Sequence, residues 1–519
     1  MRSVSHDDVV GVLGAGTMGT GIAEVAARAG HPVRVFDARP GAADDAVSGM
    51  RKRLERDVER GRLTAEDAAV TLSRVDVVAD VSGFAGAAVV LEAIAEDLAT
   101  KREALRAVED VVGAQTMIAT NTSSLSVTAI AAGLRRPDRV IGLHFFNPAP
   151  RMRLVEVVRG EATAAAVVES AEQLVRDWGK TPVTCTSTPG FIVNRIARPF
   201  YGEAQRIVES GAADPATVDA VLREAGGFPI GPFALTDVIG QDVNLSVSRS
   251  VWEQTFHDPR YAPSVFQQRL VDAGRVGRKV GRGVFGYPGS GAPVDADPRT
   301  EPARRPPARV EVVADDFGVM APFLERIAAG PVEVVRVPEM DDADESDAAA
   351  PGLHLPGGGL LRVTEGGTAR SWTVEAPAGV VLLDWAHDPA TCTRVALMPN
   401  RACAPDVLEA AVGLCQSAGV AVSVIGDIAG GIVARTVSML VNEAVDLVAR
   451  GEASASDVDV AMLLGTSYPS GPLEWGDRVE SWRVAAVLAE LNEEMPGGRY
   501  RLSPRLDEAV AGEEKLRDL

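Results

Sequence analysis

The sequence predicts an α/β domain followed by an all-α domain, then a degenerate α/β segment and a second copy of the all-α domain. Short apolar strands alternate with helical stretches up to about residue 187, and the pattern then becomes helical. A gap-free repeat follows, with the constant offset of 240 residues that separates Arg195 from Arg435. The predicted boundaries are 1–187, 188–288, a proline-rich linker at 289–308, 309–427 and 428–519.

The composition limits the class of protein. The chain has 519 residues, more than one core usually holds, and 46% of them are hydrophobic. A net charge of −20 argues against a nucleic-acid partner, and the sequence has no apolar run long enough for a membrane span and no signal-peptide character. The four cysteines form no CxxC pair and no Cys/His cluster. We therefore expect neither disulfides nor a metal site, and a reducing cytoplasm as the location.

The first strand, Val9–Leu13, leads into the run Gly14-Ala15-Gly16-Thr17-Met18-Gly19 and a helix. In this GxGxxG context the first glycine allows a tight turn, the second lets the backbone approach a pyrophosphate, and the third lets helix pack on strand. A second strand ends in Asp37, where an acid can accept a hydrogen bond from an adenosine ribose. The sequence thus predicts a Rossmann-type dinucleotide-binding domain. Asp37 would repel a 2′-phosphate and favours NAD, although Arg39 leaves NADP open.

Two polar features follow in the same domain. Arg53, Arg56 and Arg60 share one face of a predicted helix over 42–60. This face is either simply solvated or a contact for an anionic ligand such as the phosphates of coenzyme A. Residues 121–124 follow the strand Met117–Thr120, at the strand end where open α/β sheets bind ligands. Their alternative role is to cap the next helix.

His144 begins the run His144-Phe145-Phe146-Asn147-Pro148-Ala149-Pro150. The two prolines restrict the backbone just after it. Glu156 then stands alone in an apolar strand, where a buried carboxylate needs a partner, and a nearby imidazole is the obvious candidate. A carboxylate that orients a histidine is a common way to build a general base for neutral pH.

The helical domain begins near the run Gly190-Phe191-Ile192-Val193-Asn194-Arg195, in which Asn194 is polar among apolar neighbours. Asn194 either satisfies a buried backbone group or touches substrate. Its counterpart in the second copy is Ala434, so a polar group is missing there. Residues 309–427 alternate strand-like and helical runs but contain no GxGxxG, and the acidic stretch 341–347 is expected to be a flexible loop.

Six motifs occur in sequence over residues 8–288: GAGTMGTGIA, NTSSLS, HFFNPAP followed by LVEVV, GFIVNR, GFPIGPF and GRKVGRG. Together they resemble the L-3-hydroxyacyl-CoA dehydrogenase family. The second half is similar to the longer bacterial members, which carry an extra degenerate half and include 3-hydroxybutyryl-CoA and 3-hydroxyadipyl-CoA dehydrogenases. The resemblance implies an NAD-dependent oxidoreductase of fatty-acid β-oxidation with a short-chain or dicarboxylic acyl-CoA substrate.

The resemblance also implies residue roles. His144 would be the catalytic base and Glu156 its orienting carboxylate, while Ser123 and Asn194 would hold the reacting hydroxyl and the acyl chain. Contacts to coenzyme A would fall near Arg53 and Arg60, where the residue types differ from those of the family. The NAD site would comprise Gly14, Gly16, Met18, Gly19, Asp37, Glu96, Lys101, Ser123, Asn147 and Lys279.

Two other interpretations remain open from the sequence. A dehydrogenase or reductase of the same fold could act on a hydroxy acid, an imine or a biosynthetic intermediate without coenzyme A. A non-catalytic dinucleotide-binding protein could also keep the fold, although it would have no use for a His–carboxylate pair.

The duplicated helical segment has a predicted role of its own. We expect residues 428–519 to pack against the first helical domain, in the place that a second subunit takes in shorter relatives. The chain would then be a monomer with an intramolecular pseudo-dimer, or else a homodimer.

Overall fold

A computed structural model describes residues 4–289, 291–313, 317–337, 350–374, 376 and 378–519. The acidic stretch 341–347 lies outside the described residues. The chain divides into two compact units. The first comprises Met1–Arg195 and Arg450–Thr466, and the second comprises Ile196–Ala449 and Ser467–Leu519. The five-part domain division made from the sequence stays a prediction.

The first unit is built on an eight-stranded sheet. Its strands are β1 (Val10–Leu13), β2 (Val33–Phe36), β3 (Val75–Val77), β4 (Val89–Glu92), β5 (Met117–Thr120), β6 (Val140–Phe145), β7 (Leu154–Arg159) and β8 (Thr181–Thr186). They lie in the order β3-β2-β1-β4-β5-β6-β7-β8. Neighbouring strands from β3 to β6 are parallel, β7 is antiparallel to β6, and β8 is parallel to β7.

The α-helices up to residue 196 are α1 (Thr17–Arg28), α2 (Ala42–Glu59), α3 (Ala65–Ser73), α4 (Leu98–Val111), α5 (Val127–Ala131), α6 (Ala165–Asp177) and α7 (Val193–Ile196), the last of which ends in the second unit. Of these, α1 to α6 contact strands of this sheet. Ile22, Leu54 and Val175 are buried in the core that the strands share with α1, α2 and α6. At the start of several helices a side chain accepts a hydrogen bond from a free backbone N–H. Thr64 does so for α3 and Asp97 for α4.

The second unit contains a seven-stranded mixed sheet in the order β10-β9-β11-β12-β13-β14-β15. Its strands are β9 (Arg309–Val313), β10 (Glu333–Val337), β11 (Gly352–Leu355), β12 (Gly359–Val363), β13 (Val380–Leu383), β14 (Arg394–Pro399) and β15 (Ala421–Val424). The remaining helices are α8 (Arg198–Glu209), α9 (Pro215–Glu224), α10 (Pro232–Ile239), α11 (Gln241–Gln254), α12 (Val265–Asp272), α13 (Ala321–Ala328), α14 (Pro405–Ser417), α15 (Val433–Ala449), α16 (Ala455–Gly465), α17 (Pro472–Arg478), α18 (Ser481–Glu494) and α19 (Pro504–Ala511). Of these, α16 belongs to the first unit. The predicted fold, two α/β segments and two helical copies, is confirmed.

The two helical copies meet within the second unit, where α8 packs on α15. Glu203 of the first copy is fully buried and accepts hydrogen bonds from Arg435 Nε at 2.6 Å, Arg499 Nε at 2.8 Å and Tyr500 Oη at 2.9 Å. Glu443 stands 240 residues later, and Tyr261 Oη donates to it at 2.5 Å. Burial alone would raise the pKa of Glu203, but Arg499 and Arg435 lower it to about 2. The contact is therefore reciprocal, as in a two-fold interface.

Glu203→Gln should destabilise the protein strongly, because it leaves two buried guanidinium groups facing a neutral amide. Losing one partner of a buried ion pair typically costs about 3–5 kcal/mol. The cost would be measured as the loss in the free energy of chemical unfolding of the second unit. Glu311→Gln, which removes the acid of an exposed pair with Arg309 at 2.9 Å, is the control and should cost less than about 1 kcal/mol.

The contribution of Glu203 to the stability of the protein depends on pH in one direction. Because the pKa of Glu203 is lowered from 4.5 to about 2, its contribution is present above pH 4.5 and is lost as the pH falls towards 2. The difference between wild type and Glu203→Gln should shrink over that range. Equal stabilities of Glu203→Gln and Glu311→Gln at neutral pH would contradict the prediction.

Candidate active site

His144 and Glu156 face each other across two antiparallel strands. They are cross-strand partners in the register of β6 and β7. His144 Nδ1 lies 2.6 Å from Glu156 Oε2, and the histidine is only 5% exposed while the glutamate is fully buried. The structure thus brings together the two residues that the sequence singled out. With Nδ1 donating to the carboxylate, Nε2 is the ring nitrogen that can accept a proton.

The second oxygen of Glu156 holds the turn that follows β8. Glu156 Oε1 accepts from Ile192 N at 3.0 Å and Val193 N at 2.9 Å. The turn requires left-handed backbone at Gly190 (φ 80°) and Phe191 (φ 50°). The Phe191 ring then stands edge-on to the His144 imidazole, with 5.8 Å between ring centroids. One carboxylate therefore positions both the imidazole and the residues that surround it.

Ser123 and Asn194 come together beside this pair. Asn194 Nδ2 lies 3.4 Å from the carbonyl oxygen of Ser123. Asn121 Oδ1 accepts from Phe145 N at 2.8 Å, which fixes the end of β6 next to His144. The polar residues after β5 and the start of the helical domain thus converge on one place in the first unit.

Glu96 holds the turn that carries Ser123. Glu96 Oε1 accepts from Thr122 Oγ1 at 2.6 Å and from the backbone nitrogens of Ser123 and Ser124, both at 3.0 Å. Lys101 Nζ lies 3.2 Å from Glu96 Oε2. Burial alone would raise the pKa of Glu96, but Lys101 and the hydroxyls of Thr122 and Ser124 lower it. Glu96 and Lys101 therefore order the Ser123 turn.

The glycine-rich turn has the geometry of a dinucleotide cradle. Gly14 has φ 105°, and a Cβ on Gly19 would lie 1.9 Å from the Gly14 carbonyl oxygen, so helix and strand touch there. A Cβ on Gly16, in contrast, would have no atom within 4 Å. The backbone at Gly16 is thus open to a ligand at the start of α1, where helix N–H groups favour a pyrophosphate.

Asp37 lies beside this turn at the end of β2. Its Oδ2 accepts from Ala15 N at 2.8 Å, and Arg39 binds both carboxylate oxygens at 3.0 Å. The Arg39 guanidinium is the main cause that lowers the pKa of Asp37 to about 2. Asp37 therefore carries a negative charge at every physiological pH. Arg39 itself is largely exposed.

The other predicted residues have varied surroundings. Met18 is half-buried at the first turn of α1, and Asn147 is exposed after β6. Arg53 Nη2 lies 3.4 Å from Glu24 Oε2, and Arg60 is exposed at the end of α2. Lys279 belongs to the second unit, where its Nζ lies 2.7 Å from Asp242.

Sequence reasoning missed two residues that shape the site. Lys180 Nζ donates to the carbonyl oxygens of Ala149 and Met152, each at 2.8 Å, and so holds the loop after His144. Glu92 is fully buried at the end of β4 and pairs with Lys101 at 2.6 Å. A lone carboxylate within an apolar strand was the available signal for Glu92, as it was for Glu156, whereas Lys180 follows a helix and gives no such signal.

Among the described residues, no group of three or more His, Cys, Asp or Glu side chains could hold a metal ion. Over the same ranges, every helix is too short or too polar to cross a bilayer.

The second unit repeats part of this arrangement without the histidine. Asp384 stands at the repeat position of His144, and Ala396 stands at that of Glu156. Asp384 is buried and accepts from Ile432 N and Val433 N at 2.8 Å and from Ala434 N at 3.1 Å. The second half thus keeps a carboxylate on the corresponding turn but has no imidazole beside it.

Family models match most of the chain. The NAD binding domain of 3-hydroxyacyl-CoA dehydrogenase matches residues 9–188, and the C-terminal domain of that family matches twice, at 190–287 and 430–517. The reduced Rossmann-fold domain of 3-hydroxybutyryl-CoA dehydrogenase matches residues 361–428.

Individual relatives agree with these matches. The chain is 43% identical to a 3-hydroxyadipyl-CoA dehydrogenase from Escherichia coli (strain K12), over 95% of each chain. A crystal structure of 3-hydroxybutyryl-CoA dehydrogenase from Escherichia coli K12 superposes with a TM-score of 0.83 at 40% identity, covering 98% of this chain and 100% of that one. A probable 3-hydroxybutyryl-CoA dehydrogenase from Bacillus subtilis is 40% identical over 53% of this chain and 96% of its own length.

Gly16 and Gly19 allow an effect on dinucleotide binding to be distinguished from an effect on folding. Gly16→Ala should leave the unfolding midpoint unchanged, because its methyl group meets no atom, but should weaken NADH binding by about ten-fold or more by filling the space for the pyrophosphate. Gly19→Ala, the matched comparison, should lower the unfolding midpoint. Fluorescence titration with NADH and thermal unfolding measure the two effects. Unchanged NADH affinity in Gly16→Ala would refute this assignment of the cradle.

Proposed function

The chain belongs to the 3-hydroxyacyl-CoA dehydrogenase family, and on that premise we propose that it oxidises an L-3-hydroxyacyl-CoA reversibly to the 3-oxoacyl-CoA, with His144 as general base. The observation that carries the proposal is the His144–Glu156 pair, 2.6 Å apart and shielded from solvent. Imidazole is the side chain best suited to exchange a proton near neutral pH, and a fixed carboxylate stabilises its charged form.

Proton transfer would proceed through Nε2 of His144. In the oxidative direction the C3 hydroxyl gives its proton to Nε2 while the C3–H bond breaks and its hydride leaves. When bound, NAD⁺ supplies the hydride acceptor. In the reverse direction the imidazolium returns the proton to the developing alkoxide. Glu156 keeps Nδ1 protonated, which holds the tautomer that this step needs.

Ser123 and Asn194 would hold the substrate, the serine at the reacting hydroxyl and the asparagine along the acyl chain. Support comes from their approach at 3.4 Å and from the network around Glu96 that orders the Ser123 turn. Positioning of this kind makes a large contribution to catalysis because it removes the entropic cost of orientation.

We propose NAD rather than NADP as the cofactor. Asp37, whose pKa is lowered to about 2 by Arg39, would accept from a ribose hydroxyl and repel a 2′-phosphate. Gly14, Gly16, Met18 and Gly19 would surround the pyrophosphate. Glu96, Lys101, Ser123 and Asn147 would complete the site within the first unit.

The acyl-CoA substrate is proposed from the relatives. Proteins named for 3-hydroxyadipyl-CoA and 3-hydroxybutyryl-CoA are similar to this chain. A short-chain or dicarboxylic acyl group is therefore the proposed substrate class. Arg53 on α2 and Arg60 at the C-terminal end of that helix would contact the phosphates of coenzyme A.

We also propose that the protein works in the cytoplasm as a monomer whose two helical copies replace a subunit interface. The reciprocal contacts of Glu203 and Glu443 between the copies support this proposal.

His144→Gln should lower kcat by about 10²–10⁴-fold, the usual contribution of a positioned proton-transfer group, while NADH affinity stays close to wild type. Steady-state kinetics and NADH titration measure the two quantities. His6→Gln, an exposed histidine of the same unit, is the control and should be fully active. Retention of more than a few per cent of the wild-type rate by His144→Gln would contradict its assigned role.

The substrate class is tested by the absorbance of NADH with acetoacetyl-CoA, 3-oxoadipyl-CoA and free acetoacetate at equal concentrations. We expect turnover with one or both thioesters and none with the free acid, because the acyl-CoA handle supplies the binding energy. Repeating the assay with NADPH should give a much lower kcat/KM. Turnover of the free acid at the thioester rate would reject the substrate class.

A further inference from the structure

A piece of the second helical copy belongs to the first unit. The segment Arg450–Thr466, which contains α16, lies on strand β8. Thr186 N donates to the carbonyl oxygen of Glu452 at 2.9 Å, and Cys185 forms an isolated antiparallel bridge with Ala453. At the other end of the segment a Cβ on Gly465 would lie 3.1 Å from Val193. The segment is therefore held near both of its ends.

The side chain of Glu452 fastens both ends of one turn, residues 188–195. Its Oε2 accepts from Thr188 Oγ1 at 2.8 Å and lies 2.5 Å from Arg195 Nη1. Arg195 is buried, and the side chain of Glu452 is 12% exposed. This ion pair joins residues 257 positions apart in the chain. It is largely shielded from water, so both its attraction and the cost of breaking it are larger than for a surface pair.

The same 188–195 turn carries much of the proposed active site. Its Ile192 and Val193 backbone nitrogens hold Glu156, and its Phe191 ring contacts His144. Asn194 is the residue directly before Arg195. A shift of Arg195 would therefore move Asn194 away from Ser123.

We propose that Glu452 of the second copy is a positioning residue for the active site of the first half, acting on Asn194 through the 188–195 turn. This inference rests on the proposed function, because it assumes that Asn194 binds substrate. A misplacement of about 1 Å can cost about 10²-fold in rate. The degenerate half thus contributes to catalysis without a catalytic group of its own.

The first test is kinetic. Glu452→Ala should lower kcat about ten-fold, with NADH affinity unchanged because the contacts of Glu452 are with Thr186, Thr188 and Arg195 and not with the glycine-rich turn. Glu452→Gln, which keeps an acceptor for Thr188 and Arg195, should fold normally and lose less. Asp457→Ala is the matched control: it lies in the same segment and accepts from Thr184 N at 3.3 Å, on strand β8 rather than on the turn. It should stay within about two-fold of wild type.

The second test separates positioning from general stability. In an Asn194→Ala background, Glu452→Ala should lower kcat by less than about two-fold, because the group it positions is gone. An equal loss in both backgrounds would mean that Glu452 acts only on stability, and would overturn the proposal. Wild-type kcat in Glu452→Ala would overturn it too.

The third test does not need turnover. Hydrogen exchange at Ile192 and Val193 should speed up in Glu452→Ala and Glu452→Gln but not in Asp457→Ala, since the turn loses its fastening. Unchanged exchange would overturn the proposed link. If wild type turns over none of the thioesters while hydrogen exchange responds as expected, the proposed function is wrong. The structural link between Glu452 and the 188–195 turn is then still supported.

Discussion

The buried carboxylate of Glu156 is the constraint on which the rest of the first unit depends. A fully buried carboxylate is costly unless each oxygen finds donors. Glu156 finds them on two different elements, the imidazole of His144 on β6 and the backbone of Ile192 and Val193 in the 188–195 turn. Strands β6 and β7 must therefore keep their register, because a slip of one residue would turn Glu156 to the opposite face of the sheet. This one side chain aligns strand β6, the His144 imidazole and the 188–195 turn within the first unit.

The second unit meets the same demand in a different way. Asp384 occupies the repeat position of His144, across the sheet from Ala396 at the position of Glu156, and directs both its oxygens to the turn at Ile432–Ala434. The carboxylate that binds the turn is therefore on the second strand of the pair in the first half, and at the end of the first strand of the pair in the second half. The turn needs an acceptor in both halves because its buried N–H groups must be paired. Neither repeat position, Asp384 or Ala396, carries an imidazole in the second half.

Local patterns explain what the sequence could predict. A short local motif predicts the GxGxxG turn, and a lone carboxylate in an apolar strand predicts the pairing of His144 with Glu156. The constant offset of 240 residues predicts the duplicated helices, and the family prediction is confirmed. The contact between Glu452 and Arg195 spans 257 positions and has no local signature. Nor could spacing show that Glu96 and Lys101 order the Ser123 turn. Such contacts depend on how separate elements pack, which periodicity does not encode.

The exchange of helices between the halves explains which parts of the second half keep their motifs. Helix α9 of the first copy lies on β14 of the second sheet, where Glu224 pairs with Arg394 at 2.9 Å. Helix α16 of the second copy lies on β8 of the first sheet. Each copy thus covers the sheet of the other half, as partners do in a symmetric dimer. The second half can lack the glycine-rich turn and the base, because neither supports the first half. It cannot lack the helices that cover β8 or the turn from Gly431 to Arg435, whose arginine neutralises the buried Glu203. In these segments, residues of the two copies are still identical at the offset of 240, as Arg195 and Arg435 are.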